Sequence, residues 1–391
     1  MTLENKFNQD FWDFDDFIKF VKMVVPENKF NLPEDHKPYT DKYFIRTKEI
    51  LEKDNLNPWV KIQVFIRKGP GKIYGIEEAI AIIEKYSKLK EHGGHVYALE
   101  EGSDYDSKET LMIIEGPYLD FAELETMYLG VISAETTKRN DNVDINLDNI
   151  EERVKRLKDI TKRPIVYMGA RHWRYDKDKE ISHTALKGGA DDCSTNIGAN
   201  TVDKTGVGTM PHALILIYGW KYGKERGTVE AAKAFDKYID PGVKRIVLID
   251  TFNREITDVK EVAKELGDKL YGIRIDTCGE SLGEGCIEGN EKHVNSKGVT
   301  TALVYNLRKT LEEIGRSDVK IVASSGFASE EKCKRFIEWE LENNKKTFDL
   351  TGVGQVFHSR AATADIVEIE GEKISKKGRE YKPNEKLRKA W

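Results

Sequence analysis

Several short apolar runs in the second half of the chain end in residues able to do chemistry on anions. Pro164–Met168 is followed by Gly169-Ala170-Arg171-His172, and Arg245–Ile249 by Asp250-Thr251. Tyr271–Ile275 carries Arg274 and leads into Asp276-Thr277. Lys320–Ala323 ends in Ser324-Ser325-Gly326, and Leu350–Phe357 contains Gly352-Val353-Gly354. Glycine turns at a helix start offer adjacent backbone N–H groups to a phosphate-sized anion. His212, in Gly208-Thr209-Met210-Pro211-His212, follows a Gly-rich approach stiffened by Pro, and carboxylates at the other strand ends could orient its imidazole. A single Asp after a strand is usually a helix cap, and a lone His is more often structural than catalytic. Five successive strand ends with charge or glycine turns are harder to read as caps alone.

Residues placed this way need parallel strands, because ligands bind outside the carboxyl ends of such strands. Helical patterns at Thr228–Tyr238, Asp258–Leu266, Val299–Ile314 and Glu330–Glu342 separate the apolar runs. That alternation predicts a parallel sheet buried on both faces. Upstream, Trp59–Arg67, Val96–Glu100 and Thr110–Glu115 read as strands, with helices at Ile76–Tyr86 and Glu123–Ser133. This mixture predicts an α+β sandwich domain. Phe11, Phe14, Phe17, Ile18 and Val21 recur at helical spacing near the start. Strand-like text returns at Ile366–Glu370 and Glu372–Ser375. The reading therefore divides the chain into an N-terminal helical extension (1–35), an α+β sandwich domain (36–135) completed by 360–391, and a β/α barrel catalytic domain (136–359).

Composition narrows the function. The 391 residues hold 63 Lys and Arg against 68 Asp and Glu, a formal net charge of −5. Nucleic-acid binding is not expected, since it calls for a basic excess on one domain. Any anionic ligand must be met by local cations and backbone N–H groups. The four cysteines, Cys193, Cys278, Cys286 and Cys333, form no CxxC pair, so neither a zinc site nor a disulfide scaffold is expected. The first residues are acidic and aromatic, unlike a secretory signal, and no apolar run approaches the roughly 20 residues of a membrane span. A cytoplasmic protein with no membrane partner is expected.

The ordered motifs resemble the nicotinate phosphoribosyltransferases, especially their shorter archaeal form. The resemblance runs from Thr40-Asp41-Lys42-Tyr43-Phe44 through Glu115-Gly116-Pro117-Tyr118-Leu119-Asp120-Phe121, Glu125-Thr126 and Leu129-Gly130. It continues in Gly188-Gly189-Ala190-Asp191, Gly208–Leu214, Val247–Thr251, Arg274–Thr277, Ser324–Gly326 and Gly352–Gly354. It implies the irregular β/α barrel of type II phosphoribosyltransferases behind an N-terminal α+β sandwich. It also implies transfer of phosphoribose from phosphoribosyl pyrophosphate to nicotinate, coupled to ATP through phosphorylation of His212. By the same resemblance Asp250 would orient His212, and Arg171 would contact anionic substrate. Tyr43 would stack on the pyridine ring from a neighbouring subunit, implying at least a homodimer with shared sites. Arg274, Asp276 and Thr251 would line the ribose and pyrophosphate region. Ser324, Ser325, Gly326, Gly352 and Gly354 would hold the 5′-phosphate. Mg²⁺ would arrive with substrate, near Asp250 or Asp276, with no protein cluster of its own.

Asp191 lies where the related nicotinamide enzymes hold the amide of their substrate. Lys138, after Thr136-Thr137, is a candidate contact to phosphate, set against the plainer reading of a solvated lysine. Two rivals share the fold, a nicotinamide and a quinolinate phosphoribosyltransferase. A non-catalytic nucleotide sensor is the rival outside the class, and His212, Asp250 and Arg171 together speak against it.

Overall fold

Helix α1 (Lys42–Lys53) turns Phe44, Ile50 and Leu51 inward. Strand β1 (Trp59–Ile66) follows, with Val60, Ile62, Val64 and Ile66 buried on one face as period-two alternation demands. Gln63 and Phe65, on its other face, are covered too. Burial on both sides marks β1 as a central strand. After a two-residue strand β2 (Gly71–Lys72) comes helix α2 (Ile76–Tyr86), with the bounds its apolar spacing predicts. Its N-terminus is capped from a distance: the Glu101 carboxylate accepts from the N–H groups of Gly75, Ile76 and Glu77 at 2.8, 2.9 and 3.3 Å. Strands β3 (His95–Ala98), β4 (Asp104–Tyr105) and β5 (Thr110–Pro117) complete this part.

The computed structural model describes residues 29–287 and 297–391. Asp35–Trp391 form one compact unit. The helix expected around Phe11–Val21 lies outside the described residues.

A short helix α3 (Tyr118–Phe121) leads to α4 (Glu125–Asp141), which ends at Asn142 in the left-handed conformation, φ +50°. The sequence reading divided two domains at residue 135, yet α4 runs unbroken through that point. Then α5 (Leu147–Thr161), β6 (Ile165–Tyr167), α6 (Asp178–Lys187), β7 (Asp192–Cys193) and α7 (Asn196–Ala199) follow. Two consecutive helices, α8 (His212–Tyr222) and α9 (Lys224–Tyr238), precede β8 (Arg245–Leu248). Strands then alternate with helices through α10 (Glu255–Leu266), β9 (Leu270–Ile275), α11 (Thr301–Glu313), β10 (Lys320–Ala323), α12 (Glu330–Asn343) and β11 (Leu350–Val353).

Strands β6 to β11 pair in the order β7-β6-β11-β10-β9-β8, every pair parallel. Ile273, Ile275, Ile321, Val322, Ala323 and Val353 are buried along it, as a sheet covered on both faces requires. The sheet is a parallel half-barrel, and among the described residues no ladder joins β7 to β8. Between them in sequence stands α8, whose Leu214, Ile215, Leu216, Ile217 and Tyr218 are all buried and which packs on both α9 and β12. A helix apolar all round is a core element, and here it lies between the half-barrel helices and the other sheet.

The last strands return to that other sheet. Strand β12 (Ala362–Ile369) pairs with β1, β13 (Glu372–Lys373) with β12, and β14 (Arg388–Lys389) with β3. The resulting antiparallel order is β13-β12-β1-β5-β3-β14, so C-terminal residues close both edges.

The helix α4 lies against the turn carrying Arg171, and a Cβ at Gly130 would stand 2.4 Å from the Trp173 carbonyl oxygen. Gly130→Ala gains about 1 kcal/mol of helix propensity. Forcing the turn away costs about 1–3 kcal/mol. We expect a net loss of stability in urea unfolding; a midpoint equal to or above the parent's would show that the turn yields without strain.

Candidate functional site

The carboxyl ends of the parallel strands open into a cleft of about 730 Å³. Met168, Arg171 and His172 enter it after β6, Ser194 after β7, Asp276 after β9, Ser324 to Gly326 after β10, and Gly354 after β11. The antiparallel sheet and the C-terminal segment supply Arg67, Thr363, Lys376 and Arg379. Six cationic side chains (Arg67, Arg153, Arg171, Arg274, Lys376 and Arg379) face two carboxylates, Asp41 and Asp276. An acidic chain has thus gathered a cationic cleft, which raises the local concentration of anions. A smaller chamber of about 80 Å³ continues from it past His212 toward β12 and is lined by Glu125 and Asp365 as well.

At the head of α8, His212 Nδ1 lies 2.9 Å from Thr251 Oγ1. Its Nε2 lies 2.7 Å from Lys376 Nζ, but 3.8 Å from Asp250 Oδ2 and 3.7 Å from Asp276 Oδ2. Asp250, expected to orient His212, stands beside the ring without hydrogen-bonding it. Thr251 and Lys376 touch the ring, and Asp250 pairs with Lys376 at 2.8 Å. Asp250 also accepts from the Asp276 N–H at 3.1 Å, which ties the ends of β8 and β9 together. Burial, and then the Lys376 charge, hold His212 below the usual imidazole value, so the ring is neutral at pH 7. Burial alone would raise Asp276; its neighbours His212, Lys376 and Arg274 instead hold it well below the usual carboxylate range.

Arg171 is held from two sides. It donates to the Tyr43 hydroxyl at 3.1 Å and to Glu125 at 3.2 Å. Burial pushes Glu125 up to about 8 despite the opposing charge of Arg171. Burial likewise raises Tyr43. Tyr43 belongs to the same chain as the Arg171 it touches.

The turn after β10 places Ser325 and Gly326 in successive left-handed conformations, φ +62° and +82°. Phe327, Ala328 and Ser329 then lead along the cleft wall into α12, whose N-terminus Ser329 caps by accepting from Lys332 N at 3.2 Å. Free N–H groups at such a turn and helix start suit a phosphate. Lys332 donates to the Ser325 carbonyl at 2.8 Å and is lowered by burial to about 8. Gly352 and Gly354 line the same wall. Ser324 lines it too, although its hydroxyl already donates to the Ile275 carbonyl at 2.9 Å. Arg274 lines the cleft and reaches the Met210 carbonyl at 3.3 Å, and its buried Nε has no protein partner.

Two expected contacts lie elsewhere. The Asp191 carboxylate accepts from Lys158 at 2.7 Å and from the Ile165 N–H at 2.8 Å, at the start of β6. That is the opposite rim of the half-barrel, so the expected contact with substrate is corrected: Asp191 anchors a strand. Lys138 stands 3.7 Å from Asp144 and 5.5 Å over the Trp173 ring, outside the cleft lining.

Lys376, Glu125 and Arg379 were not singled out by sequence reasoning. Lys376 sits in a basic tail after β13, where a Lys-Lys pair reads as solvent-facing. Glu125 was visible only as part of a motif. Among the described residues no group of three His, Cys, Asp or Glu could hold a metal ion, and none of the helices is long and apolar enough to cross a membrane. Asp276 is 32% exposed and Asp250 is fully covered, so a cation in the cleft would meet one open carboxylate and take its other ligands from substrate.

The family profile described as the quinolinate phosphoribosyl transferase N-terminal domain matches residues 41–135. A nicotinate phosphoribosyltransferase from Bacillus subtilis is 23% identical over 323 residues, covering 73% of this chain and 57% of that protein. The chain thus spans little more than half the length of that relative. A solved structure of a nicotinate-nucleotide pyrophosphorylase from Pyrococcus furiosus is 30% identical, covers 90% of this chain and 81% of the other, and has a TM-score of 0.45. A nicotinate phosphoribosyltransferase structure from Vibrio cholerae shares the fold with a TM-score of 0.63 at 12% identity, covering 89% of this chain and 90% of that one.

An L-residue in the left-handed region costs about 1–2 kcal/mol, which Gly326 avoids. In calorimetric titration with inorganic phosphate we expect Gly326→Ala to weaken binding about tenfold. Equal affinity in the two proteins would place the anion away from this turn.

Proposed function

This chain belongs to the nicotinate phosphoribosyltransferase family, and we propose that it joins nicotinate to phosphoribose from phosphoribosyl pyrophosphate, giving nicotinate mononucleotide and pyrophosphate. The observation that carries the reading is the cationic cleft, which sets an arginine beside an aromatic ring at one end and an anion-binding turn at the other. A planar carboxylate ring suits Tyr43 with Arg171. The 5′-phosphate suits the Ser325-Gly326 turn and the start of α12.

In the proposed reaction the pyridine nitrogen supplies its lone pair to ribose C1, and the C1–O bond to pyrophosphate breaks with its electrons leaving on oxygen. Arg274 and Arg379 oppose the charge that develops on the leaving group. The ionised Asp276 faces the positive charge that develops on the ribose. Magnesium belongs to the proposal as a companion of the pyrophosphate, where it would neutralise leaving-group charge. Coupling to ATP belongs to it as well, because a neutral buried imidazole keeps a lone pair able to take a phosphoryl group. With Asp191 outside the cleft, the feature that suggested an amide substrate is gone, which favours nicotinate over nicotinamide.

The test is formation of mononucleotide from phosphoribosyl pyrophosphate with nicotinate, nicotinamide or quinolinate, each with and without ATP. We expect turnover with nicotinate and stimulation by ATP. Exclusive use of either other acid or amide would sink the reading. In His212→Ala we expect loss of ATP stimulation with slow transfer retained, and undiminished stimulation would remove His212 from the coupling.

Glu125 makes a pH prediction. Below about 8 it is protonated, and Arg171 keeps its full charge for a substrate carboxylate. Above that pH the Glu125 carboxylate competes, so KM for nicotinate should rise, by about three- to tenfold. Glu125→Gln should abolish the rise; a KM that climbs equally in both proteins would assign it to another group.

A further inference from the structure

Lys376 is 4% exposed; its Nζ hydrogen-bonds to His212 Nε2 at 2.7 Å and to the Asp276 carbonyl at 2.8 Å, and forms an ion pair with Asp250 Oδ2 at 2.8 Å. An ammonium has three N–H groups and no lone pair, so it can only donate. Nε2 of His212 must then accept, which leaves the ring proton on Nδ1, and Nδ1–H donates to Thr251 Oγ1 at 2.9 Å. We propose that Lys376 is a positioning residue for His212: it fixes the neutral imidazole as the Nδ1–H tautomer and holds the Nε2 lone pair beside Asp250 and Asp276.

The geometry leaves little freedom in this assignment. Asp250 cannot perform the task, since its oxygen stands 3.8 Å from Nε2 and its charge is met by the ammonium. Were Nε2 protonated, two donors would face each other at 2.7 Å, and one would lose its partner in a buried site. Lys376 itself is held by its chain neighbours, because the Lys377 N–H donates to the Thr251 carbonyl at 3.1 Å. The same segment thus grips both residues that contact the ring. A histidine on the half-barrel is oriented by a residue from the segment beyond the antiparallel sheet's β13 strand.

The experiment uses the full chain labelled with ¹⁵N-histidine, in long-range ¹H–¹⁵N correlation at neutral pH. The sequence has eight histidines, and His212→Gln identifies the signals wanted. The parent should show an unprotonated Nε2 and a protonated Nδ1. In Lys376→Met the fixed tautomer should be lost, kcat with nicotinate should fall about 10- to 100-fold, and KM should change much less. Lys376→Arg retains a donor and should recover part of both the signature and the rate. An Nε2–H ring in the parent, or ring signals unaltered in Lys376→Met, would overturn the proposal. The parent spectrum decides even if the Met variant fails to fold. The kcat arm rests on the transferase reading above, and the nitrogen signals do not. A chain inert toward nicotinate but carrying Nδ1–H at His212 therefore rejects only that reading.

Discussion

A buried ammonium needs its donors satisfied, and that requirement at Lys376 organises the site. Taking such an ion out of water costs several kcal/mol unless its charge and hydrogen bonds are met. The acceptors come from the head of α8 and the end of β9, and the opposing charge from the end of β8. Lys376 itself arrives from beyond β13. The cost is offset only when all four segments are in register. Polar chemistry, rather than apolar packing alone, therefore fixes how the half-barrel rim meets the segment that follows β13.

The second organising feature is the separation of charge. The chain carries more acids than bases, yet its cleft carries six cations and two carboxylates. Several of those cations are anchored by acids outside the lining of the main cleft: Arg379 by Asp365 at 2.9 Å, Arg171 by Glu125, and Arg67 by Glu280. Anchoring restricts the rotamers of long side chains before any ligand arrives, so less entropy is lost on binding. Glu125 differs from the others, because burial keeps its proton on at neutral pH and leaves the charge of Arg171 uncompensated.

Much of this could be read from the amino-acid order, for reasons that differ by residue. Helix α2 follows from its apolar spacing, and strands β1 and β10 from short runs of apolar residues that end at polar or turn-forming ones. Helix α4 runs eight residues beyond its expected end, through charged residues that carry no apolar signal, to Asn142. The strand-end residues Arg171, Asp276 and Ser324 to Gly326 reach the cleft because parallel topology sends every strand end to one rim. Asp191 misled because it stands beside a strand at its other end, and sequence does not say which rim a flanking aspartate occupies until the strand's direction in the sheet is known. Lys376 was illegible for another reason. Its partners lie between 100 and 164 residues away, and its neighbours are those of an ordinary solvated tail.

The pairing of β1 with β12 has a consequence for how the protein comes into being. Val60 lies opposite Ile369, more than 300 residues along the chain. During synthesis β1 and β5 can pair early, but the other edge of β1 stays open until β12 has been made. Contacts of such long separation are slow to form, and an unfilled edge invites pairing with another nascent chain. The late strand ends this exposure and, a few residues on, delivers the lysine that touches His212. Chains that stop before that point lack the lysine that touches His212 and keep the open β1 edge.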